Sequence, residues 1–189
     1  DEGFHSGGDC TVGVGSCAVT GKLGCTPNGL GVRCEATPLR AIVVTPHHQY
    51  PTTVVLTAAR RMRLLDLAKK RRMAILEDDY DHEFHYDGRP VLPLASADTC
   101  GVVVYVGTLS KILAPGLRLG FVVAPKPFVE RLARERFLFD RQGDLALELA
   151  VAELIEDDEL GRHARKMRRV YMARRDVLAD ALRAIAAKS

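Results

Sequence analysis

The sequence predicts an α/β fold, with a mostly parallel sheet flanked by helices and a long helix at its end. Three features of the chain carry that expectation. Runs such as Ala41-Ile42-Val43-Val44-Thr45 and Met73-Ala74-Ile75-Leu76 are apolar throughout, as in strands covered on both faces. Between them lies TAARRMRLLDLAKKRR, residues 57–72, where Leu64, Leu65 and Ala68 fall on one side of a helix. Residues 160–187 set Leu160, Ala164, Met167, Tyr171, Leu178, Leu182 and Ile185 along one apolar stripe.

The elements follow in order. The strand at 41–45 is ended by Pro46, and Thr57 is placed as N-cap of the helix at 57–72. The strand at 73–76 runs directly into Glu77-Asp78-Asp79. Two further strands are expected at 102–108 and 119–124. Their connection is too short for a helical crossover, so this pair should depart from the parallel rule. Helices are expected at 127–139 and 142–156. At ~1.5 Å per residue the helix over 160–187 runs ~40 Å, longer than a compact sheet needs. The expected organisation is therefore an unassigned segment at 1–26, a domain at 27–159, and a helix at 160–189 leading toward a small domain outside the chain.

Composition narrows the function classes. The chain has 189 residues, 47% hydrophobic and 27% charged, which suits a packed domain and excludes wholesale disorder. A net charge of +3 does not by itself call for a polyanionic partner. No apolar run approaches the ~20 residues of a membrane span. The opening DEGFHSGGDC lacks the basic start and apolar core of a secretory leader, so a cytoplasmic location is expected. The missing initiator Met marks a processed chain or a piece of a longer one. Cys10, Cys17, Cys25 and Cys34 lack the close CxxC spacing of structural zinc sites, and with Cys100 they are expected to be free thiols.

Three strand ends carry reactive groups: His47-His48-Gln49-Tyr50, Glu77-Asp78-Asp79-Tyr80-Asp81 and Ser110-Lys111. In open α/β sheets such ends share one edge, where ligands bind. A lysine at a buried strand end has a more accessible neutral amine, which can condense with a carbonyl. Arg118 offers a fork suited to phosphate, and Ser110 a hydroxyl for the same oxygens. Asp78 can hold a ring nitrogen protonated, and Tyr80 can hydrogen-bond a phenolic oxygen. An aldehyde, a pyridine nitrogen, a phenolic oxygen and a phosphate together describe pyridoxal 5′-phosphate.

The runs VTPHHQYPTTVVLTAARRMRLLDLA, ILEDDYDHEFHYDGRP and YVGTLSKILAPGLRLGF closely resemble the aminotransferase-like domain of MocR-type (GntR-family) regulators. Those are bacterial proteins joining a winged-helix DNA-binding domain to a fold-type I aminotransferase class I/II domain. The resemblance runs from about Gly29 to Arg183. It implies a partial fold-type I large domain in which Lys111 forms the internal aldimine of pyridoxal 5′-phosphate. It also implies that Asp78 pairs with the pyridinium, Tyr80 with the phenolic oxygen, and Ser110 and Arg118 with the phosphate. Tyr50 stands where ordinary aminotransferases of this fold carry an asparagine. A small amino compound and a homodimer partner are implied, with DNA contacted only through a winged helix absent from this chain. Where such domains read Pro-Thr-Gly, this chain has Pro51-Thr52-Thr53, which puts a β-branched residue in a turn that favours glycine. The family's phosphate loop and cofactor-stacking aromatic ring, from its earlier segment, are not recognisable.

Other motifs receive plainer expectations. His47, His48, His82 and His85 suggest metal ligands, but the sequence pattern places no third and fourth ligand, so no metal is expected. Asp79 and Asp81 are expected to cap turns. The basic runs at 60–63, 69–72 and 162–169 are expected to form solvated helix faces rather than a nucleic-acid surface.

Overall fold

The computed structural model describes residues 39–49, 53–86, 91–139, 141 and 143–187. The segment at 1–26, Tyr50 and the four early cysteines lie outside the described residues; Cys100 is an exposed free thiol. Four strands form one sheet in the order β1 (Ala41–Val44), β2 (Ala74–Asp79), β3 (Val103–Thr108) and β4 (Gly120–Val123). The first three are mutually parallel, and β4 returns antiparallel to β3, with Thr108 opposite Gly120. The departure from parallel falls where the short connection required it.

Four helices accompany the sheet: α1 (Ala58–Arg71), α2 (Lys126–Phe139), α3 (Leu145–Glu156) and α4 (Glu159–Ala186). Leu64, Leu65 and Ala68 of α1 pack in one core with Ile42, Val44, Ile75 and Val103. Thr57 sits at the N-cap position with extended backbone, but its hydroxyl makes no capping bond. At the other end Arg72 takes a left-handed conformation, φ 52°, and Met73 N–H donates to Ala68 O at 2.9 Å. That turn feeds the chain straight into β2, while Lys69, Lys70 and Arg71 complement the negative helix end. Helix α3 begins later than the expected residue 142, because Asp144 accepts the N–H of Leu147 at 3.1 Å and fixes the start there.

Two expectations need correction. Strand β2 does not end at Leu76 but continues through Asp79, because Glu77 and Asp79 find buried partners. Arg61 is not part of a solvated face. It is buried and donates to the carbonyls of Leu56 (2.8 Å), Pro46 (2.8 Å) and Leu92 (2.7 Å). Its neighbours Arg63, Lys69, Lys70, Arg71 and Arg72 are exposed, as expected.

A second core joins Leu109, Ile112 and Val151 with Leu160 and Ala164 of α4. Farther along α4, Tyr171 meets Phe84 edge-on at 5.2 Å between ring centroids. Beyond it Leu178, Leu182 and Ile185 of the same stripe are exposed. Among the described residues no helix is long and apolar enough to cross a membrane.

Candidate functional site

Because β1, β2 and β3 are parallel neighbours, the residues after Val44, around Asp78 and after Thr108 share one sheet edge. Successive side chains of β2 alternate between faces, so Asp78 and Asp79 serve opposite sides. Asp79 is buried with Glu77 and Ile75 on the side covered by α1, and Asp78 is exposed on the other. The Asp78 carboxylate has no hydrogen bond or ion pair among the described residues. Partial burial of its carboxyl, and then the charge of Asp79, raise its pKa above the usual aspartate value. A cationic N–H donor would relieve both effects.

Asp78 lies opposite Val106 on β3, a few residues before Ser110 and Lys111. The connection carrying Lys111 and Arg118 is pinned at both ends. Leu109 N–H donates to Leu119 O at 3.0 Å, Leu113 N–H donates to Leu109 O at 2.9 Å, and Leu109 and Ile112 are buried. Ser110 N–H donates to the Thr108 hydroxyl at 3.2 Å. A short 3₁₀ turn, Pro115–Leu117, leads to Arg118 in a left-handed conformation, φ 53°. Lys111 and Arg118 are both exposed, and neither meets a carboxylate within ion-pair distance among the described residues. The sheet also approaches this connection closely. A Cβ on Gly107 would overlap the Phe121 ring, and one on Gly120 would lie 2.8 Å from Gly107 O.

Tyr80 is differently engaged. Its hydroxyl donates to His48 O at 2.8 Å, so its single proton ties the end of β2 to the loop after β1. That proton is therefore committed within the protein. Of the six expected site residues, the structure brings Asp78 to the same edge as the turn bearing Ser110, Lys111 and Arg118. Tyr50 lies outside the described residues. An unpaired carboxylate beside a turn with two unpaired cations is the donor set a phosphorylated pyridine aldehyde requires, and these residues fit it.

The opposite face holds groups to which the sequence pattern assigns no chemistry. Glu77 is fully buried and accepts the N–H groups of Leu94 (2.7 Å) and Ala95 (3.0 Å); burial still raises its pKa. Asp79 does not cap a turn. Its Oδ2 accepts the Tyr105 hydroxyl at 3.0 Å and lies 3.1 Å from His82 Nδ1 and 4.0 Å from His47 Nδ1. Burial alone would raise the Asp79 carboxyl, but His82, His47 and Tyr105 hold it below the usual range. Burial pushes His47 down to about 4. His48 Nδ1 lies 2.8 Å from Asp81 Oδ2. The signal for Glu77 and Asp79 is present in the sequence as parity: both are in step with Ile75, the core-facing residue of the strand.

A family model for aminotransferase class I and II matches residues 29–188, and the chain belongs to that family. Among curated relatives it is 39% identical over 139 residues to the HTH-type transcriptional regulator YhdI of Bacillus subtilis, covering 74% of this chain and 30% of that protein. It is 37% identical over 138 residues to the probable rhizopine catabolism regulatory protein MocR of Rhizobium meliloti, covering 73% and 28%. It is 34% identical over 148 residues to aromatic-amino-acid aminotransferase 1 of Thermococcus litoralis, covering 78% and 36%. The chain thus spans about a third of the length of these relatives. Among solved structures, the kynurenine aminotransferase of Pyrococcus horikoshii superposes with a TM-score of 0.79 at 27% identity, over 85% of this chain and 41% of that one. The α-aminoadipate aminotransferase LysN of Thermus thermophilus, complexed with N-(5′-phosphopyridoxyl)-L-leucine, superposes at 0.78 with 26% identity, over 86% and 42%. The fold is that of the fold-type I aminotransferases, present in part.

Proposed function

We propose that the chain is the cofactor-bearing part of an aminotransferase-like effector domain of a MocR-type regulator, binding pyridoxal 5′-phosphate and exchanging it between Lys111 and a small amino compound. One observation carries this reading: Asp78, with no cationic partner, stands at the sheet edge beside the turn that holds Lys111 and Arg118. When bound, the cofactor supplies an aldehyde on which amines exchange and a ring that accepts electron density. The chain's residues divide the remaining work. The Asp78 carboxylate holds a proton at the ring nitrogen. Ser110 Oγ and the Arg118 guanidinium bind phosphate oxygens. Lys111 Nζ would hold the cofactor's aldehyde carbon and would take and return the proton at the amino compound's Cα. Tyr80 positions the loop after β1 through His48 O and reaches the cofactor's phenolic oxygen only if that bond is exchanged.

The domain division expected from the sequence, 27–159 followed by the helix at 160–189, belongs to this reading. So do a cytoplasmic location, a homodimer, and contact with DNA only through a separate winged helix. The 34% identity to the Thermococcus enzyme supports a second reading, a piece of a catalytic aminotransferase. Turnover of an amino donor by the longer protein separates the two.

The test is to add pyridoxal 5′-phosphate to the chain, record imine absorbance, reduce with borohydride and locate the added mass. We expect the absorbance in the wild type, the mass on Lys111, and neither in Lys111→Ala. Equal spectra from both chains, or a label spread over surface lysines, would mean a remnant that does not bind the cofactor.

A further inference from the structure

Behind the sheet, on the face away from Asp78, three side chains converge from three segments. His47 comes from the loop after β1, Asp79 from the last position of β2, and His82 from the turn that follows. One ligand atom from each can be chosen so that all lie within 4.8 Å of one another. His47 is 2% exposed and Asp79 3%. Both nitrogens of His47 lack a hydrogen-bond partner, as do Asp79 Oδ1 and His85 Nδ1, while His82 Nδ1 lies 3.1 Å from Asp79 Oδ2 but outside hydrogen-bond geometry. The His85 ring stands 5.8 Å from that of His47.

Buried polar atoms are seldom left unpaired, and several at one point call for an ion or ordered water between them. The approach of His82 to Asp79 still leaves both nitrogens of His47 without a hydrogen bond. The Tyr105 hydroxyl donates to Asp79 in the way outer groups orient a ligating carboxylate. Tetrahedral zinc, with bonds of about 2.0–2.1 Å, needs donors about 3.3 Å apart, so the three groups would close in by about 1.5 Å at most.

We infer that His47, Asp79 and His82 form a binding site for a divalent transition-metal ion of the zinc class, with His85 or a water as fourth ligand. Two imidazoles and one carboxylate, with no thiolate, favour zinc, cobalt or nickel over calcium or magnesium. The ion would tie the loop after β1 to the end of β2. The site uses neither Lys111 nor Asp78, so its fate is independent of the cofactor reading.

The experiment is equilibrium dialysis of the reduced chain against Zn²⁺ with elemental analysis, paralleled by Co²⁺ titration followed in the visible range. Wild type should bind an equivalent of zinc that His47→Asn and His82→Asn each lose, with affinity about 100-fold or more weaker. Cobalt should give the visible bands of nitrogen and oxygen ligation without the near-ultraviolet band of thiolate, which separates this site from the cysteines. Excess zinc should raise the melting temperature of wild type by about 5 °C or more, and of neither variant. Circular dichroism checks that the variants are folded. If His47→Asn does not fold, the half-buried His82→Asn decides alone. Absence of zinc binding by wild type, unchanged stoichiometry in a folded variant, or a purely thiolate cobalt spectrum would each overturn the site.

Discussion

Thr53 is the residue where the sequence and the backbone disagree most openly. Its φ is +57°, and its N–H donates to Gln49 O at 2.7 Å, closing the turn after β1. A β-branched residue pays a penalty in that region, of the order of 1–2 kcal/mol, that glycine does not. Glycine also frees the unfolded chain, which returns part of the gain. Thr53→Gly should therefore stabilise the chain by about 0.5–1 kcal/mol and raise its melting temperature by a few degrees; a lower melting temperature would show that the side chain itself contributes more than the backbone loses. This position is legible in the amino-acid sequence alone, from the Pro-Thr-Thr that replaces a glycine-bearing turn. Arg61 is not. Its charge places it on a solvated face, whereas the carbonyls of Leu56, Pro46 and Leu92 draw its guanidinium inward. Nothing local in an amphipathic helix announces carbonyls supplied by distant loops.

Among the elements, the β3–β4 pair leaves no room for a side chain at Gly107 without a shift of its neighbour. The Phe121 ring lies across Gly107, so a side chain there meets the ring and not space. Gly107→Ala should cost about 1 kcal/mol, the low end for overpacking, because the Phe121 ring is 44% exposed and can turn aside. Adding Phe121→Ala should recover part of that loss, and a double-mutant cycle by denaturant unfolding measures the coupling. Additive losses would place the strain elsewhere. The strands, their mostly parallel order and the antiparallel return are legible because buried apolar runs and one short connection leave few topologies. The true length of β2 is less legible. Hydrophobicity stops at Leu76, while the strand is carried on by Glu77 and Asp79, whose partners come from the 94–95 turn, Tyr105 and His82. Asp78, Ser110, Lys111 and Arg118 are readable as reactive residue types at strand ends. The histidine cluster is legible only in part: its histidines read as ligand types, but its carboxylate is placed only once β2 is known to run on to Asp79.

For the whole molecule, the long α4 helix sets the behaviour in solution. Its first half packs on the second core, but Leu178, Leu182 and Ile185 face outward together. An uncovered stripe of this kind drives association. The chain should elute larger than a monomer or precipitate on concentration, and Leu178→Gln, Leu182→Gln and Ile185→Gln combined should shift light scattering toward the monomer mass. A wild-type chain that stays monomeric at high concentration would count against this. The two aspartates that close β2 bear on the molecule's tolerance of change. They sit back to back across a single sheet, so inserting or deleting one residue just upstream would exchange their roles, sending the histidine-facing carboxylate to the exposed face and the other into the interior. Length variation should therefore be confined to the loops on either side, with the spacing from Ile75 to Asp79 held fixed.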